Sequence, residues 1–245
     1  MLICEIGLNH LGSVRYSDVM LQNILDTEVD AVTFQIRECE FYENELAHLN
    51  LDADYYQEAI IKTKDKSKKF GIALSDLDFL PLMENLGVDF YKILSKDITN
   101  LEFLHKFRQS TNKTLYLSTG TAAEEDINTA LEILKKDTVL IHTQLTNNVN
   151  QVNLKAIPTM RFKYGVPVAF GNHCSNLNIL YTCLGYEPSD IFFYVKGTDE
   201  YEYPDNEHSV PLNKVGEVAE NIKCLYTSFG DGRKYKMKNN IEGQR

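Results

Sequence analysis

Two charged residues lie inside apolar runs and are the first candidates for chemistry. Lys92 lies in the run that opens the segment 89–100, and Glu5 lies in Ile3-Cys-Glu-Ile-Gly7. A cation in a half-buried strand needs an anionic partner, because an unpaired buried charge is costly. The partner of Lys92 is either Glu5 or a ligand anion, and the two can compete for it. A buried carboxyl group also suits proton transfer, so Glu5 is a candidate catalytic residue.

Polar residues follow the ends of most other apolar runs. Those that we select as candidates for substrate binding are Asn9, His10, Gln35, Ser75, Ser95, Ser118 and Thr119. Lys196 and Asp205 follow the last run and join Glu5 and Lys92 as candidate catalytic residues. Each residue alone is weak evidence, since a hydroxyl at such a position is commonly a helix cap. Their convergence on one surface would be stronger evidence.

The tripeptide Ser118-Thr-Gly120 precedes a predicted helix. Its hydroxyls and free backbone N–H groups suit a phosphate or a carboxylate. An N-terminal cap for that helix is an equally good interpretation.

One candidate metal ligand is His173, in Asn172-His-Cys174. Neutral imidazole is a good ligand for divalent metals. No second histidine occurs at a spacing that by itself indicates a metal site. The segment 205–208 is an acidic loop that either adds oxygen ligands or forms an ordinary solvated turn after Pro204.

The order of the apolar runs determines whether these residues can meet. Short β-branched and aromatic runs alternate with segments of helical period, which predicts β-α units and a parallel sheet. The predicted strands are 2–6, 30–35, 70–74, 88–93, 114–117, 138–142, 167–170 and 191–195. This count favours a single-domain α/β fold, the closed (β/α)8 TIM barrel, over an open doubly wound sheet. In a barrel, the C-terminal ends of all strands face one mouth.

Helical period is clearest in three segments. The segments 16–25 and 124–135 each place apolar residues on one stripe. The last predicted helix opens at Pro211, a favourable first-turn residue, and ends at Gly230-Asp-Gly232. We therefore assign 1–230 to the barrel and 231–245 to a polar C-terminal tail.

Composition limits the partners and the compartment. The net charge of −10 and the absence of a basic block argue against nucleic acid. The five cysteines include no C-x-x-C pair, which suggests free thiols in a reducing, cytoplasmic compartment. No apolar run is long enough to span a membrane, and no signal peptide is evident, so we expect a soluble protein without membrane contact.

Several motifs in order along the chain resemble the N-acetylneuraminate (sialic acid) synthase family. They are Glu5-Ile-Gly-Leu-Asn-His-Leu-Gly12, Asp30-Ala-Val-Thr-Phe-Gln35, Lys92-Ile-Leu-Ser-Lys-Asp-Ile-Thr-Asn100, Ser118-Thr-Gly120 and Val152-Asn-Leu154, with weaker matches at Gly171-Asn-His-Cys174 and Asp205-Asn-Glu-His-Ser209. The first and third of these motifs are quite specific. The resemblance covers almost the whole chain.

The resemblance implies a barrel enzyme that condenses phosphoenolpyruvate with an amino-sugar or a related aldose, releasing phosphate and forming a 2-keto-3-deoxy sugar acid. It implies that Lys92, Ser75, Ser95 and Ser118 hold phosphoenolpyruvate. It further implies that Glu5 acts near the reacting carbons, that His173 binds a divalent metal (manganese or magnesium), and that Asp205 lies close to metal and sugar. No organic cofactor is implied. A homodimer is expected.

The chain also departs from the family pattern. Thr33 replaces a lysine expected to face phosphoenolpyruvate, and Lys196 replaces the second metal-binding histidine. Gly171 and Asn172 replace a serine and an aspartate before His173. The segment 145–148 lacks the Ser-x-Tyr-Pro of the family, and we expect a member without the C-terminal antifreeze-like domain.

Because an ammonium can replace the charge of a metal, Lys196 motivates the hypothesis of a metal-independent or weakly metal-dependent enzyme. Two alternatives stay open. In one, Lys92 or Lys196 forms a Schiff base in an aldolase or lyase. In the other, the barrel binds an anion or sugar in a glycan pathway without catalysis.

Overall fold

The computed structural model describes residues 1–135, 137–198 and 201–235. Its centre is a parallel barrel whose strands follow one another in chain order, with β1 also paired to β8 so that the sheet closes. The strands are β1 (Leu2–Gly7), β2 (Ala31–Ile36), β3 (Lys69–Leu74), β4 (Phe90–Ile93), β5 (Thr114–Ser118), β6 (Thr138–His142), β7 (Val168–Gly171) and β8 (Ile191–Lys196). The (β/α)8 prediction is confirmed, and every predicted strand end lies within two residues of the observed one.

The helices cover the outside of the barrel. They are α1 (Val14–Leu25), α2 (Ala53–Asp65), α3 (Leu80–Leu86), α4 (Leu101–Ser110), α5 (Glu124–Leu134), α6 (Ala156–Tyr164), α7 (Asn178–Thr182) and α8 (Val215–Thr227). Side-chain caps fix where some of them begin: Ser13 accepts a hydrogen bond from the Tyr16 backbone N–H at 3.2 Å, and Asn100 accepts one from Phe103 at 3.1 Å. Such caps satisfy N–H groups that the first helical turn leaves free.

Alternation along the strands separates an inner from an outer core. The inner apolar layer contains Ile3, Ala31, Phe90, Tyr116, Val139, Ile141, Ala169 and Phe192. Intervening residues face outward and pack under the helices. Side chains two positions apart on a strand share a face, so Glu5, Lys92 and Tyr194 also point into the barrel. They follow Ile3, Phe90 and Phe192 of the inner layer by two residues each. The apolar layer therefore closes the barrel below a polar mouth.

The last helix differs from the prediction. Pro211 does not open it but lies in a short strand, β9 (Val210–Pro211), which pairs with the end of β8 through Val210 and Val195. Proline fixes φ at a value common to helix and extended chain, so this pairing decides the outcome: Pro211 has φ −58° and ψ 138°. A single turn at Leu212–Lys214 then leads into α8, which ends at Thr227, before Gly230. Residues 236–245 of the predicted tail lie outside the described residues.

No helix in the described ranges is long and apolar enough to cross a membrane. The five cysteines are free thiols, with Cys4, Cys174 and Cys183 buried and Cys39 and Cys224 exposed.

Candidate active site

A buried ion pair crosses the mouth of the barrel. Lys92 Nζ on β4 lies 2.5 Å from Glu5 Oε1 on β1, and the two side chains are only 5% and 4% exposed. Thr33 Oγ1 donates a longer hydrogen bond to the same carboxylate oxygen, at 3.5 Å. The rings of Phe192 and Tyr194 lie with their centroids 5.4 and 5.3 Å from Lys92 Nζ. Glu5 is thus the protein's own partner of Lys92, and both side chains are buried, where a competing anion would interact strongly with the lysine.

Hydroxyl groups line the side of the mouth next to β4. Ser95 Oγ and Ser118 Oγ lie 2.7 Å apart, and the Gly120 backbone N–H donates to Ser95 Oγ at 3.0 Å. Thr121 Oγ1 donates to the Ser95 carbonyl at 2.6 Å. Thr119 Oγ1 donates to the Ile141 carbonyl at 2.9 Å. The Ser118-Thr-Gly120 turn is therefore a rigid element tied to the loop after β4.

The capping interpretation of this tripeptide is wrong for α5. The N-cap of α5 is Ala123, whose backbone N–H donates to Asp126 Oδ2 at 2.8 Å. The first turn of α5 also carries Glu124 and Glu125. These carboxylates already complement the positive end of the helix dipole and would repel an anion there. An anion in this region would instead meet the hydroxyl groups of Ser95 and Ser118.

Ser75 is engaged in a separate polar network. Its Oγ donates to Asp97 Oδ2 at 2.7 Å, and Lys96 Nζ contacts Asp97 Oδ1 at 2.7 Å and Glu38 Oε2 at 3.2 Å. These contacts tie the end of β3 to the loop after β4. Ser75 can donate to a substrate only if its hydroxyl group turns away from Asp97.

An aromatic and imidazole cluster forms the opposite side of the mouth. The rings of His173 and His208 have centroids 4.4 Å apart, and Tyr194 lies 5.6 and 5.1 Å from them. Burial lowers the pKa of His173 to about 3, helped by the charges of His208 and Lys92. Burial likewise lowers the pKa of His208 to about 4, helped by Lys92 and Lys196. Both imidazoles are therefore neutral at pH 7, the form that binds a metal.

Asp205 lies against this cluster. Burial raises the pKa of Asp205 to about 6, with the charge of Glu5 adding to the rise and Lys92 opposing it. Its Oδ1 lies 3.7 Å from His208 Nε2. Gly7, at φ +56°, makes room here, because a Cβ at this position would lie 2.9 Å from the Tyr194 ring and 3.5 Å from Asp205 Oδ2. A carboxyl group that titrates near neutrality can exchange a proton with a substrate.

Two predicted site residues hold the loop that carries Asp205. Asn9 Nδ2 donates to the Val195 carbonyl at 2.8 Å and to Ser209 Oγ at 3.2 Å, and its Oδ1 accepts from the Asp205 backbone N–H at 3.0 Å. Lys196 Nζ donates to both the carbonyl and the side chain of Asn206, at 2.8 and 2.7 Å. The loop is thereby held by the turn after β1 and by the end of β8.

The last two predicted binding residues lie on opposite faces of the barrel wall. His10 is fully buried, with its ring centroid 6.1 Å from that of Phe34, which belongs to the outer core. Its Nδ1 accepts from the Gly12 backbone N–H at 3.0 Å. These contacts favour a scaffold role for His10. Gln35 is two residues beyond Thr33 on the inner face of β2 and is also buried.

Sequence reasoning did not identify the roles of Tyr194 and His208. Tyr194 could have been found by alternation, because it lies two residues before Lys196 on the same strand. His208 appeared only as part of an acidic loop. No local pattern links it to His173, because the chain returns to that histidine only after β8 and a turn.

The closed eight-stranded parallel barrel places this chain in the (β/α)8 TIM-barrel class, and its buried ion pair, imidazoles and titratable carboxyl group lie at the mouth where such barrels carry their functional sites. More narrowly, the chain is a member of the NeuB family, whose sequence profile matches residues 13–234.

Two curated relatives are N,N'-diacetyllegionaminic acid synthases. The protein from Campylobacter jejuni is 25% identical over 96% of this chain and 78% of its own length. The protein from Legionella pneumophila is 21% identical over 98% of this chain and 76% of its own length.

The fold matches a solved sialic acid synthetase. The structure of N-acetylneuraminic acid (sialic acid) synthetase from Leptospira borgpetersenii, in complex with citrate, superposes with a TM-score of 0.87 at 24% identity. The match covers 96% of this chain and 87% of that one. At this identity the likeness establishes the barrel fold.

Proposed function

We propose that this protein condenses phosphoenolpyruvate with an amino-sugar or a related aldose to form a 2-keto-3-deoxy sugar acid and inorganic phosphate. The observation that carries the proposal is the buried Glu5–Lys92 pair at the mouth of a NeuB-family barrel. Relatives named as N,N'-diacetyllegionaminic acid synthase and pseudaminic acid synthase support the reaction class. The identity of the sugar is left to experiment.

Lys92 is suited to hold the anionic substrate. Among the described residues it is the one lysine or arginine in the buried set. A phosphate or carboxylate group that entered the mouth would compete with Glu5 for Lys92 Nζ, and charge-assisted hydrogen bonds would favour the exchange. Ser95 and Ser118, at the ends of neighbouring strands, would add hydroxyl donors.

The reaction forms one carbon–carbon bond and breaks one carbon–oxygen bond. C3 of phosphoenolpyruvate attacks the aldehyde carbon, and the aldehyde oxygen takes up a proton. Water then adds to C2 and gives up one proton, and the resulting C2 hydroxyl loses its own proton to the departing phosphate as the C2–O bond to phosphate breaks and the ketone forms. Asp205 is suited to exchange one of these protons, and Glu5, freed from Lys92, would stabilise the positive charge that develops at C2.

The residues present also fit a divalent metal. His173 and His208 are neutral at pH 7, and His208 Nε2 is a buried atom without a hydrogen-bond partner among the described residues. These two side chains would hold the ion, with Asp205 beside them. When bound, a divalent metal acts as a Lewis acid that polarises a carbonyl oxygen.

Phosphate release tests the proposed reaction. The full chain is incubated with phosphoenolpyruvate, Mn²⁺ and a panel of N-acetylated hexosamines and other aldoses, with product mass as a second readout. We expect phosphate release only when phosphoenolpyruvate and an accepted sugar are both present. Silence across a broad panel, with phosphoenolpyruvate still binding in calorimetry, would favour a non-catalytic anion-binding barrel.

Borohydride treatment with pyruvate tests the Schiff-base alternative separately. Lys92 Nζ donates to a buried carboxylate, whereas a nucleophilic lysine must be a neutral amine. We expect no covalent adduct by mass. An adduct on Lys92 or Lys196 would replace the proposed reaction by an aldolase or lyase.

A further inference from the structure

We infer that His208 is a protein ligand of a divalent-metal site that it shares with His173, and that Lys196 positions His208 instead of replacing the metal. The inference deepens the proposed function, since it concerns the same mouth. Metal binding can nevertheless be measured without turnover.

The separation of the two imidazoles suits one shared ion. Two imidazoles that bind one metal at about 2.1 Å have ring centroids about 4.5 Å apart at a right angle and about 5.3 Å apart at the tetrahedral angle. The observed centroids of His173 and His208 are 4.4 Å apart, with the ring planes inclined by 31°. His173 follows β7 and His208 follows β8. The two imidazoles therefore meet only because the folded barrel brings these two loops together.

The hydrogen bonding of His208 leaves a donor atom for a ligand. Its side chain is 13% exposed, and Nε2 is buried with no hydrogen-bond partner in the described part of the chain. Asp205 Oδ1 is 3.7 Å away, too far for a hydrogen bond but close enough to offset positive charge. A buried polar atom without a partner is costly, and a bound cation would remove that cost.

The donor set indicates which metals to test. Imidazole nitrogen beside a carboxylate oxygen suits manganese, cobalt or zinc better than calcium. Within residues 1–135, 137–198 and 201–235, no group of three or more histidine, cysteine, aspartate or glutamate side chains is arranged to hold a metal. Water or substrate oxygen atoms would therefore complete the coordination, as is usual for catalytic sites with open positions.

Lys196 is held by the loop that carries His208. Its Nζ donates to the carbonyl and the side chain of Asn206, two residues before His208. Asn9 holds the same loop from the opposite side through the Asp205 N–H. The lysine at the end of β8 thus tethers the loop that brings His208 to His173.

Manganese binding to the chelator-treated full chain tests the inference. Free Mn²⁺ is followed by its electron paramagnetic resonance signal, which weakens on binding. We expect one site per chain in the wild type, a loss of more than about 100-fold in affinity for His208→Ala and His173→Ala, and about tenfold for Lys196→Met. His105→Ala removes an exposed imidazole from α4 and serves as the matched control with unchanged affinity.

Two results would overturn the inference. One is wild-type affinity in His208→Ala, and in His208→Gln if the alanine variant fails to fold. The other is a folded wild type that binds none of Mn²⁺, Co²⁺ and Zn²⁺. Phosphate release by the wild type without metal binding would reject this site and leave the proposed reaction standing. Metal binding that depends on both histidines, without phosphate release, would support this metal site and count against the proposed reaction.

Discussion

The two sides of the barrel mouth are built in different ways. On the side of β4 and β5, the hydroxyl groups of Ser95 and Ser118 bond to each other and to nearby backbone. On the side of β7 and β8, the groups are titratable, and His208 Nε2 has no hydrogen-bond partner among the described residues. Lys92 extends from the first side and meets Glu5 across the mouth.

This difference suggests a division of labour. Neutral groups with satisfied hydrogen bonds form a rigid surface that can hold a substrate anion without changing protonation. Buried ionisable groups have shifted pKa values and can exchange protons or bind a cation. Substitutions at four places can test this division, and we order them by the size of the expected effect.

Lys92→Met should have the largest effect. The substitution leaves Glu5 as an uncompensated buried charge, so we expect a loss of about 3–5 kcal/mol in the free energy of unfolding, measured by denaturant titration. Phosphate release should fall by about 1,000-fold or more, because the substrate anion loses its cation.

The double variant Glu5→Gln/Lys92→Met separates these two losses. It removes the stranded charge and should regain much of the stability while staying inactive. Recovery of activity in the double variant would show that the ion pair is structural and that another group binds the anion.

Asn9→Ala should weaken catalysis by loosening the loop that carries Asp205. Three hydrogen bonds are lost, which we expect to lower the free energy of unfolding by about 1–3 kcal/mol and phosphate release by about tenfold or more. Asn23→Ala, on the exposed surface of α1, is the control. An Asn9→Ala enzyme with full activity would mean that Asp205 needs no such support.

Ser95→Ala and Ser118→Ala should act mainly on phosphoenolpyruvate binding. Each removes one hydroxyl, so we expect KM for phosphoenolpyruvate to rise by about five- to tenfold, with kcat changed less. The two effects should be less than additive, because the hydroxyls bond to each other. A change confined to the KM of the sugar would mean that the side of β4 and β5 binds the sugar and not phosphoenolpyruvate.

His10→Asn should leave activity nearly unchanged and alter the pH dependence of stability. Burial lowers the pKa of His10 to about 4, below the 6.5 of the unfolded chain. The unfolded state therefore takes up a proton first, so stability is full above pH 6.5 and falls as the pH drops towards 4.

The asparagine can still accept from the Gly12 N–H and does not titrate, so the contribution of His10 to the loss between pH 7 and 5, about 2 kcal/mol, should disappear. Thermal unfolding across this range measures it. A large loss of phosphate release in His10→Asn would return His10 to the active site.

Local sequence patterns were sufficient to predict the fold and some of the inward-facing residues. Alternating apolar runs predicted the barrel, and inward charges such as Glu5 and Lys92 followed from their place within strands. Pro211 was misplaced because its fixed φ fits both a helix and the strand that pairing with β8 imposes.

The roles of polar side chains were harder to predict, because each role depends on which neighbouring groups form hydrogen bonds with the side chain. The sequence predicted Asn9 as a substrate-binding residue and Lys196 as a catalytic residue, but it could not predict that both are bound to the Asp205 loop. His208 meets His173 only through closure of the barrel.

The most direct test of the proposed function is a crystal structure with phosphoenolpyruvate soaked into the mouth. We predict that Lys92 Nζ leaves Glu5 and lies within hydrogen-bond distance of a phosphate or carboxylate oxygen, with Ser95 or Ser118 as a second donor. Phosphoenolpyruvate bound elsewhere, while Lys92 and Glu5 stay paired as they are here at 2.5 Å, would contradict the role proposed for this ion pair.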